Sequence, residues 1–305
     1  MKEVTVRAPA TVSNVVCGFD CLGFAIDGPF DEVTVRRRDR PGVSITHEDA
    51  FSLPTDPEQN VAGVAVAALL AEAQVDFGVE IVIEKSIKPG SGIGSSGASS
   101  SGAVVAVNWL LDEQFPPAKL IEFAMEGERL ASGSRHADNV APCIIGGFVL
   151  VRSIDPVDVV RLDFPPLFAT VIHPQIEIRT AEARAVLPEL VPLAAAVRNW
   201  SNLGAFIAGL EHGDYDLIGR SLVDEIVEPA RRGLIPHFEE AKAAGLAAGA
   251  IGGGISGSGP SIFMLSKTRE RAEIVRTAVS EIYEPTGIPF NTYVSEIVSQ
   301  GTSLR

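Results

Sequence analysis

Three groups of residues in this chain carry the means for chemistry. The first is Lys88-Pro89-Gly90-Ser91-Gly92-Ile93-Gly94-Ser95-Ser96-Gly97-Ala98-Ser99, where glycines at alternate positions run into serines and then into an apolar stretch. Glycines lack Cβ, so the backbone can turn sharply and approach a ligand closely. Ser95 or Ser96 is placed to cap a helix with Val104, Val107 and Leu111 on one face. The unpaired amides of such a first turn, at the positive end of the helix dipole, suit a phosphate. The second group is Arg135-His136-Ala137-Asp138-Asn139, held between glycine turns and mixing polar with apolar residues in no clean period, which reads as a site. The third is a pair of arginines on separate elements, Arg184 and Arg231. Together they can grip a carboxylate bidentately; each alone reads better as a surface ion pair.

The chemistry these groups imply is transfer involving a magnesium nucleotide. Magnesium takes oxygen ligands, one or two from the protein and the rest from phosphates and water. A serine at the loop–helix junction and one glutamate suffice, and Glu126 and Glu128 both stand near the end of the helix expected over 118–131. The dipole disfavours carboxylates there, so the two are either solvent-facing or one is kept for a metal. Phosphoryl transfer itself needs little beyond positioning and charge neutralisation. The loop is not of the Walker type, since no lysine follows its glycines. Nor is it a flexible linker, because it leads straight into an amphipathic helix.

The elements that must position these groups follow from periodicity. Residues 3–8 alternate as a strand that Pro9 ends, and residues 10–23 form a loop in which Asn14 and Asp20 are turn formers or ligands. Strands are expected over 31–38, 42–46 and 79–84, with the arginines at 36–38 as a solvated strand end. Residues 54–60 form a loop with a helix cap before an alanine-rich helix at 61–72. Strands at 149–152 and 159–164 precede Pro165-Pro166, the expected boundary between domains 1–164 and 165–305. Beyond it come a strand at 167–172, a short helix capped by Thr180, helices over 190–211, 214–226 and 237–248, and a turn at 228–236. A second glycine cluster at 249–261 leads into a strand at 262–265, then a helix at 269–283 and a strand at 291–297. Without a regular βαβ rhythm, the fold class is α+β in two domains.

Composition sets outer limits. The 305 residues are 46% hydrophobic, enough for well-formed cores, and carry a net charge of −14. That balance argues against nucleic-acid or anionic-membrane partners, which need basic surface, and requires local positive groups for any anionic substrate. Three cysteines make neither a disulfide framework nor a zinc site. With no basic-then-apolar leader and no apolar run of membrane-spanning length, a soluble cytoplasmic protein is expected.

On these residues the chain resembles the galactokinase–homoserine–mevalonate–phosphomevalonate (GHMP) kinase superfamily, nearly end to end. Pro89 to Ser99 is similar to its phosphate loop, and Ile255-Ser256-Gly257-Ser258-Gly259-Pro260-Ser261 to its C-terminal glycine motif. Ala8-Pro9-Ala10-Thr11 through Asn14, Gly18-Phe19-Asp20 and Leu22-Gly23 is similar to its N-terminal motif. His136-Ala137-Asp138-Asn139-Val140-Ala141-Pro142 resembles the members that phosphorylate homoserine, as do Thr180 to Arg184 and Glu228 to Arg231. The resemblance implies an N-terminal domain like ribosomal protein S5 domain 2 and a ferredoxin-like C-terminal domain. It also implies transfer of the γ-phosphate of ATP to the hydroxyl of L-homoserine, for threonine synthesis. Another small alcohol such as mevalonate or shikimate, or a catalytically inactive nucleotide-binding regulator on the same fold, is the alternative.

By position, Ser96 and Glu128 would serve Mg2+, and Asn60 with residues 89–99 would hold ATP. Asn14, Asp20, His136, Asn139, Thr180, Arg184, Arg231 and Gly257 would hold the substrate. Asp20 and Asn14 would meet its ammonium, the arginines its carboxylate, and Asn139 its reacting hydroxyl. An amide cannot take a proton, so the γ-phosphate or solvent would receive it. Asp138, the rival base, is expected to face away from its neighbour Asn139. The chain departs from the family at Gly97, where alanine is usual, and at Val15-Val16-Cys17, which replaces a Leu-Gly-Pro run. A homodimer is left open.

Overall fold

The computed structural model describes residues 2–305. β1 (Glu3–Ser13) runs antiparallel to the long β2 (Leu22–Arg38), and β3 (Gly42–His47) lies parallel to a later strand after the crossing helix α1 (Val61–Ala73). That strand, β4 (Gly78–Glu84), alternates Val79, Ile81 and Ile83 inward, as its sequence requires. Then come α2 (Ser95–Leu110), α3 (Pro117–Ser132), α4 (Val140–Ile145), β5 (Phe148–Ile154) and β6 (Val157–Leu162). The second half opens with β7 (Phe168–Pro174), α5 (Thr180–Ala185), α6 (Leu193–His212), α7 (Tyr215–Ser221), α8 (Val227–Arg231) and α9 (Phe238–Ala247). It continues with β8 (Gly252–Ile255), β9 (Ile262–Ser266), α10 (Arg269–Tyr283), β10 (Phe290–Glu296) and the short β11 (Ser303–Leu304).

These strands make two sheets. A seven-stranded sheet has the order β11-β1-β2-β4-β3, with β5 beside β2 and β6 beside β5. A four-stranded antiparallel sheet has the order β10-β7-β9-β8. The fold is therefore α+β. Pro165-Pro166 falls between β6 and β7, that is, between the sheets. β11, in contrast, returns to the first sheet and pairs with β1. Between the sheets lies a shared core in which Phe24 meets Phe148 at 4.8 Å and Phe263 at 5.7 Å between ring centroids. Among the described residues no helix is long and apolar enough to cross a membrane.

Five local expectations are corrected. β1 does not stop at Pro9: its pairing with β2 shifts register between Pro9 and Thr11, and the irregularity absorbs the missing proline N–H. β2 starts at Leu22, so the expected loop shrinks to the turn around 14–21. The helix expected over 214–226 breaks after Ser221, because Asp224 accepts hydrogen bonds from the amides of Ile226, Val227 and Glu228 and starts α8 instead. Residues 228–231 are thus helical rather than a turn. Finally, α2 is buried on nearly all sides rather than on one face. Small residues make that approach close: a Cβ on Gly127 of α3 would meet the Val61 carbonyl oxygen at 2.6 Å and Ser100 Cβ at 2.9 Å.

Candidate active site

One cavity of about 710 Å³ is framed by segments of both halves. Pro89, Gly90, Ser91, Gly92, Gly94, Ser95, Ser96 and Ser99 line one end of it. Gly94 opens α2 in a left-handed conformation (φ 74°) that a side chain would strain, and a Cβ there would stand 2.2 Å from Thr11 Oγ1. Neither serine caps the helix, contrary to the sequence reading. Ser95 Oγ donates to the Ile87 carbonyl at 2.8 Å, and α2 has no side-chain cap. Its first amides are thus left facing the cavity. Ile93 and Ala98 turn away into the core, and Gly97 packs against Asn139. Ser91 is fully buried and its hydroxyl has no protein partner.

Beneath this loop lies a lysine that the sequence reading did not find. Lys85, buried, donates to Asp31 Oδ2, the Ser95 carbonyl and Ser99 Oγ, while Asp31 Oδ1 accepts from the Ser86 and Ile87 amides. The lysine precedes the glycines, and its partner is 54 residues away in sequence, so no local pattern announces it.

Glu128 is the glutamate that reaches the cavity; Glu126 instead pairs with Arg129 and Arg135 at the surface. Burial raises the Glu128 carboxyl above its usual range, against the hydrogen bonds of Ser96 and Asn139. Glu128 Oε2 accepts from Asn139 Nδ2 at 2.7 Å, but Oε1 is buried with no partner. An unpartnered carboxylate oxygen beside a serine hydroxyl, at the N-terminus of a helix, is a donor set that fits Mg2+. No group of three or more His, Cys, Asp or Glu able to hold a metal occurs among the described residues, and magnesium bound mainly through phosphates does not require one.

The other end of the cavity is made of side-chain charge. Asn14, Asp20, His136, Asp138, Asn139, Thr180, Arg184, Arg231 and Gly257 all line it. Arg184 Nη2 donates to both oxygens of Asp20, at 2.8 and 2.9 Å, and to His136 Nε2. An acceptor nitrogen means a neutral ring, consistent with a His136 pKa lowered first by burial and then by Arg184. Arg231 is buried and donates to the carbonyls of Ala183 and Gly257. Arg184 Nε is buried without an acceptor. Asn14, in a left-handed run through Val15 and Val16, accepts from the Asp20 amide and donates to the Gly257 carbonyl at 2.7 Å. The Val15-Val16-Cys17 segment is buried and ties this loop down.

Three expectations about individual residues change. Thr180 does not cap α5; Arg179 precedes the helix with no side-chain cap, and Thr180 is its first residue. Asn60 does not line the cavity: Oδ1 caps α1 through the Ala62 amide, and Nδ2 donates to the Pro54 carbonyl and His47. Asp138 does not face away from Asn139; both reach the cavity. Asn139 is helical in backbone (φ −103°, ψ −42°) and caps α4, so successive side chains do not alternate as in a strand. Burial, with Asp20 and Glu128 nearby, pushes the Asp138 carboxyl up to about 7.

This combination of fold and cavity defines a class. Residues 60–147 match the family described as GHMP kinases N terminal domain, and residues 206–285 match GHMP kinases C terminal. The chain belongs to the GHMP kinase family. Within it, the chain is 45% identical to the homoserine kinase of Chlorobaculum tepidum, over 100% of this chain and 98% of that protein. It is 39% identical to the homoserine kinase of Pyrococcus abyssi, over 95% and 96% of the two chains. The crystal structure of homoserine kinase from Cytophaga hutchinsonii superposes with a TM-score of 0.96 at 49% identity, covering 100% of this chain and 98% of that one. The crystal structure of L. major mevalonate kinase in complex with R-mevalonate shares the fold, with a TM-score of 0.73 at 15% identity over 97% and 96% of the chains.

Proposed function

We propose that this chain is a homoserine kinase, transferring the γ-phosphate of ATP to the hydroxyl of L-homoserine to give O-phospho-L-homoserine and ADP. The observation that carries this reading is the polarity of one cavity: helix amides at one end, and Asp20 opposed to Arg184 and Arg231 at the other. A zwitterionic amino acid satisfies both signs at once. Mevalonate and shikimate offer a carboxylate but no ammonium for Asp20.

In this reading the amides of residues 94–96 and the Ser91 hydroxyl hold phosphate oxygens. Ser96 and Glu128 would hold Mg2+, which would supply neutralisation of phosphate charge. The unpartnered Glu128 Oε1 and Arg184 Nε support these roles toward the metal and a substrate carboxylate. Asn139, fixed between Glu128 and the Val140 amide, keeps one free N–H and one lone pair for the hydroxyl. The substrate oxygen attacks the γ-phosphorus, the bond to ADP breaks, and the hydroxyl proton passes to a phosphate oxygen. A second reading is favoured by one observation: Asp138, with a carboxyl near 7 inside the cavity, suits a general base that takes this proton directly.

An ADP-release assay with homoserine, mevalonate and shikimate side by side tests the function. Turnover with homoserine alone is expected. Preference for either of the other alcohols would overturn the assignment.

A further inference from the structure

Between Gly18 and Asp20, in the turn that carries the cavity's carboxylate, stands Phe19. The guanidinium carbon of Arg231 lies over its ring at 5.1 Å from the centroid, and that of Arg184 at 5.6 Å. Two cations therefore share one aromatic ring. Bringing like charges together is unfavourable, and more so for a buried group. Arg184 has Asp20 as its counter-charge. Arg231, only 3% exposed, has no ion-pair partner among the described residues; its acceptors are two neutral carbonyls. Its pKa is lowered, first by burial and then by Arg184, as expected for a cation held without full compensation.

An aromatic ring is a particular answer to this arrangement. Its face carries the negative part of a quadrupole and attracts a guanidinium, most strongly where water is excluded. A carboxylate at the same place would neutralise the arginines, but it would also repel the anion they are meant to receive. The ring stabilises the cations without adding net negative charge.

We propose that Phe19 is a positioning residue of the carboxylate clamp, its ring face holding Arg231 and Arg184 together in a state that still attracts the substrate's carboxylate. The inference rests on the reading that these arginines bind that carboxylate. The ring touches the arginines and acts through them.

Replacing residue 19 with mono-, di- and trifluorinated phenylalanine keeps the shape nearly constant while weakening the quadrupole in steps. KM for homoserine is expected to climb with each fluorine, to about tenfold overall, the scale of a desolvated cation–π contact. KM for ATP and the thermal midpoint should stay at their parent values. Phe19→Leu should raise KM for homoserine comparably, and Phe19→Tyr should stay within about twofold. A flat KM across the fluorinated series, in a protein that turns over homoserine normally, would overturn this inference and leave the assigned function standing. Absence of homoserine turnover in the unmodified protein would overturn both.

Discussion

The two ends of the cavity are built on opposite plans. The phosphate end is a single continuous segment, and its polarity comes from backbone: glycines that admit left-handed turns and a helix whose first amides are free. The substrate end is assembled from five separate segments, around 14–20, 136–139, 180–184, 231 and 257–258, and its charge comes from side chains. Backbone recognition is indifferent to which alcohol arrives. On the proposed function, side-chain charge selects the substrate by its sign and spacing. Reaction and selectivity are thus housed in different materials, and substitutions should separate them.

The largest separation is expected at Glu128. Glu128→Gln should lower kcat by ~10²–10³, the usual loss for one transition-state electrostatic contact, with KM for homoserine changing little. Near-parental turnover at saturating Mg2+ would remove the glutamate from the metal site.

The buried Lys85–Asp31 pair beneath the loop is expected to matter to folding first. Lys85→Met leaves Asp31 uncompensated and should reduce unfolding free energy by about 3–5 kcal/mol. Adding Asp31→Asn should restore part of the loss. Equal denaturant midpoints for single and double variants would show that the pair is not coupled.

At the other end, Arg184→Ala and Arg231→Ala should each raise KM for homoserine by about 30-fold or more, the loss for truncating one partner of a desolvated charge pair, with KM for ATP steady. Arg184→Lys should recover only part, since an ammonium cannot make the two-pronged contact. A parallel rise in KM for ATP would assign these arginines to the nucleotide.

Asp138 gives a pH-dependent prediction. Its folded pKa, about 7, is above the ordinary 3.8, so between these values the folded state binds the extra proton. Stability contributed by this group therefore falls as pH rises from about 4 to 7, by at most about 1.4 kcal/mol per pH unit. Asp138→Asn should flatten that slope in urea titrations. If Asp138 is also the base, the same variant removes the acid limb of kcat; a retained limb assigns the proton to phosphate.

The smallest effect is expected at Gly97, where a Cβ would stand 3.1 Å from Asn139 Nδ2. Gly97→Ala should gain up to about 1 kcal/mol of helix propensity, offset by crowding of the amide that faces the hydroxyl. Thermal midpoint up and kcat down a few-fold is the expected pattern. Unchanged kcat would mean that Asn139 yields without consequence.

The contrast also explains what could be read from the sequence. The phosphate end was legible because its cause is local: alternate glycines before an apolar helix admit few other structures. The α+β class followed from strand and helix periods in the same way. The resemblance supplied the polar residues of the substrate end, which no short-range pattern brings together. Lys85 escaped because its meaning depends on Asp31 across the sheet. The orientation of Asp138 escaped because a helical backbone at Asn139, not strand alternation, sets it. The break after Ser221 escaped because Asp224 competes for helix amides more strongly than the surrounding helix formers suggest.

The contacts of the second glycine cluster with the first half of the chain have a mechanical meaning. Ser256 Oγ donates to the Gly92 carbonyl at 2.7 Å, the Gly257 amide donates to the Ser13 carbonyl at 3.1 Å, and a Cβ on Gly92 would meet the Gly259 carbonyl oxygen at 2.6 Å. The loop that shapes one end of the cavity is riveted to the opposite half of the chain. A hinge opening between the halves would shear these bonds and deform the phosphate cradle with them. Access to the cavity is therefore expected without parting of the two halves. The cradle is one wall held by both halves of the chain, so its shape is set before any substrate arrives.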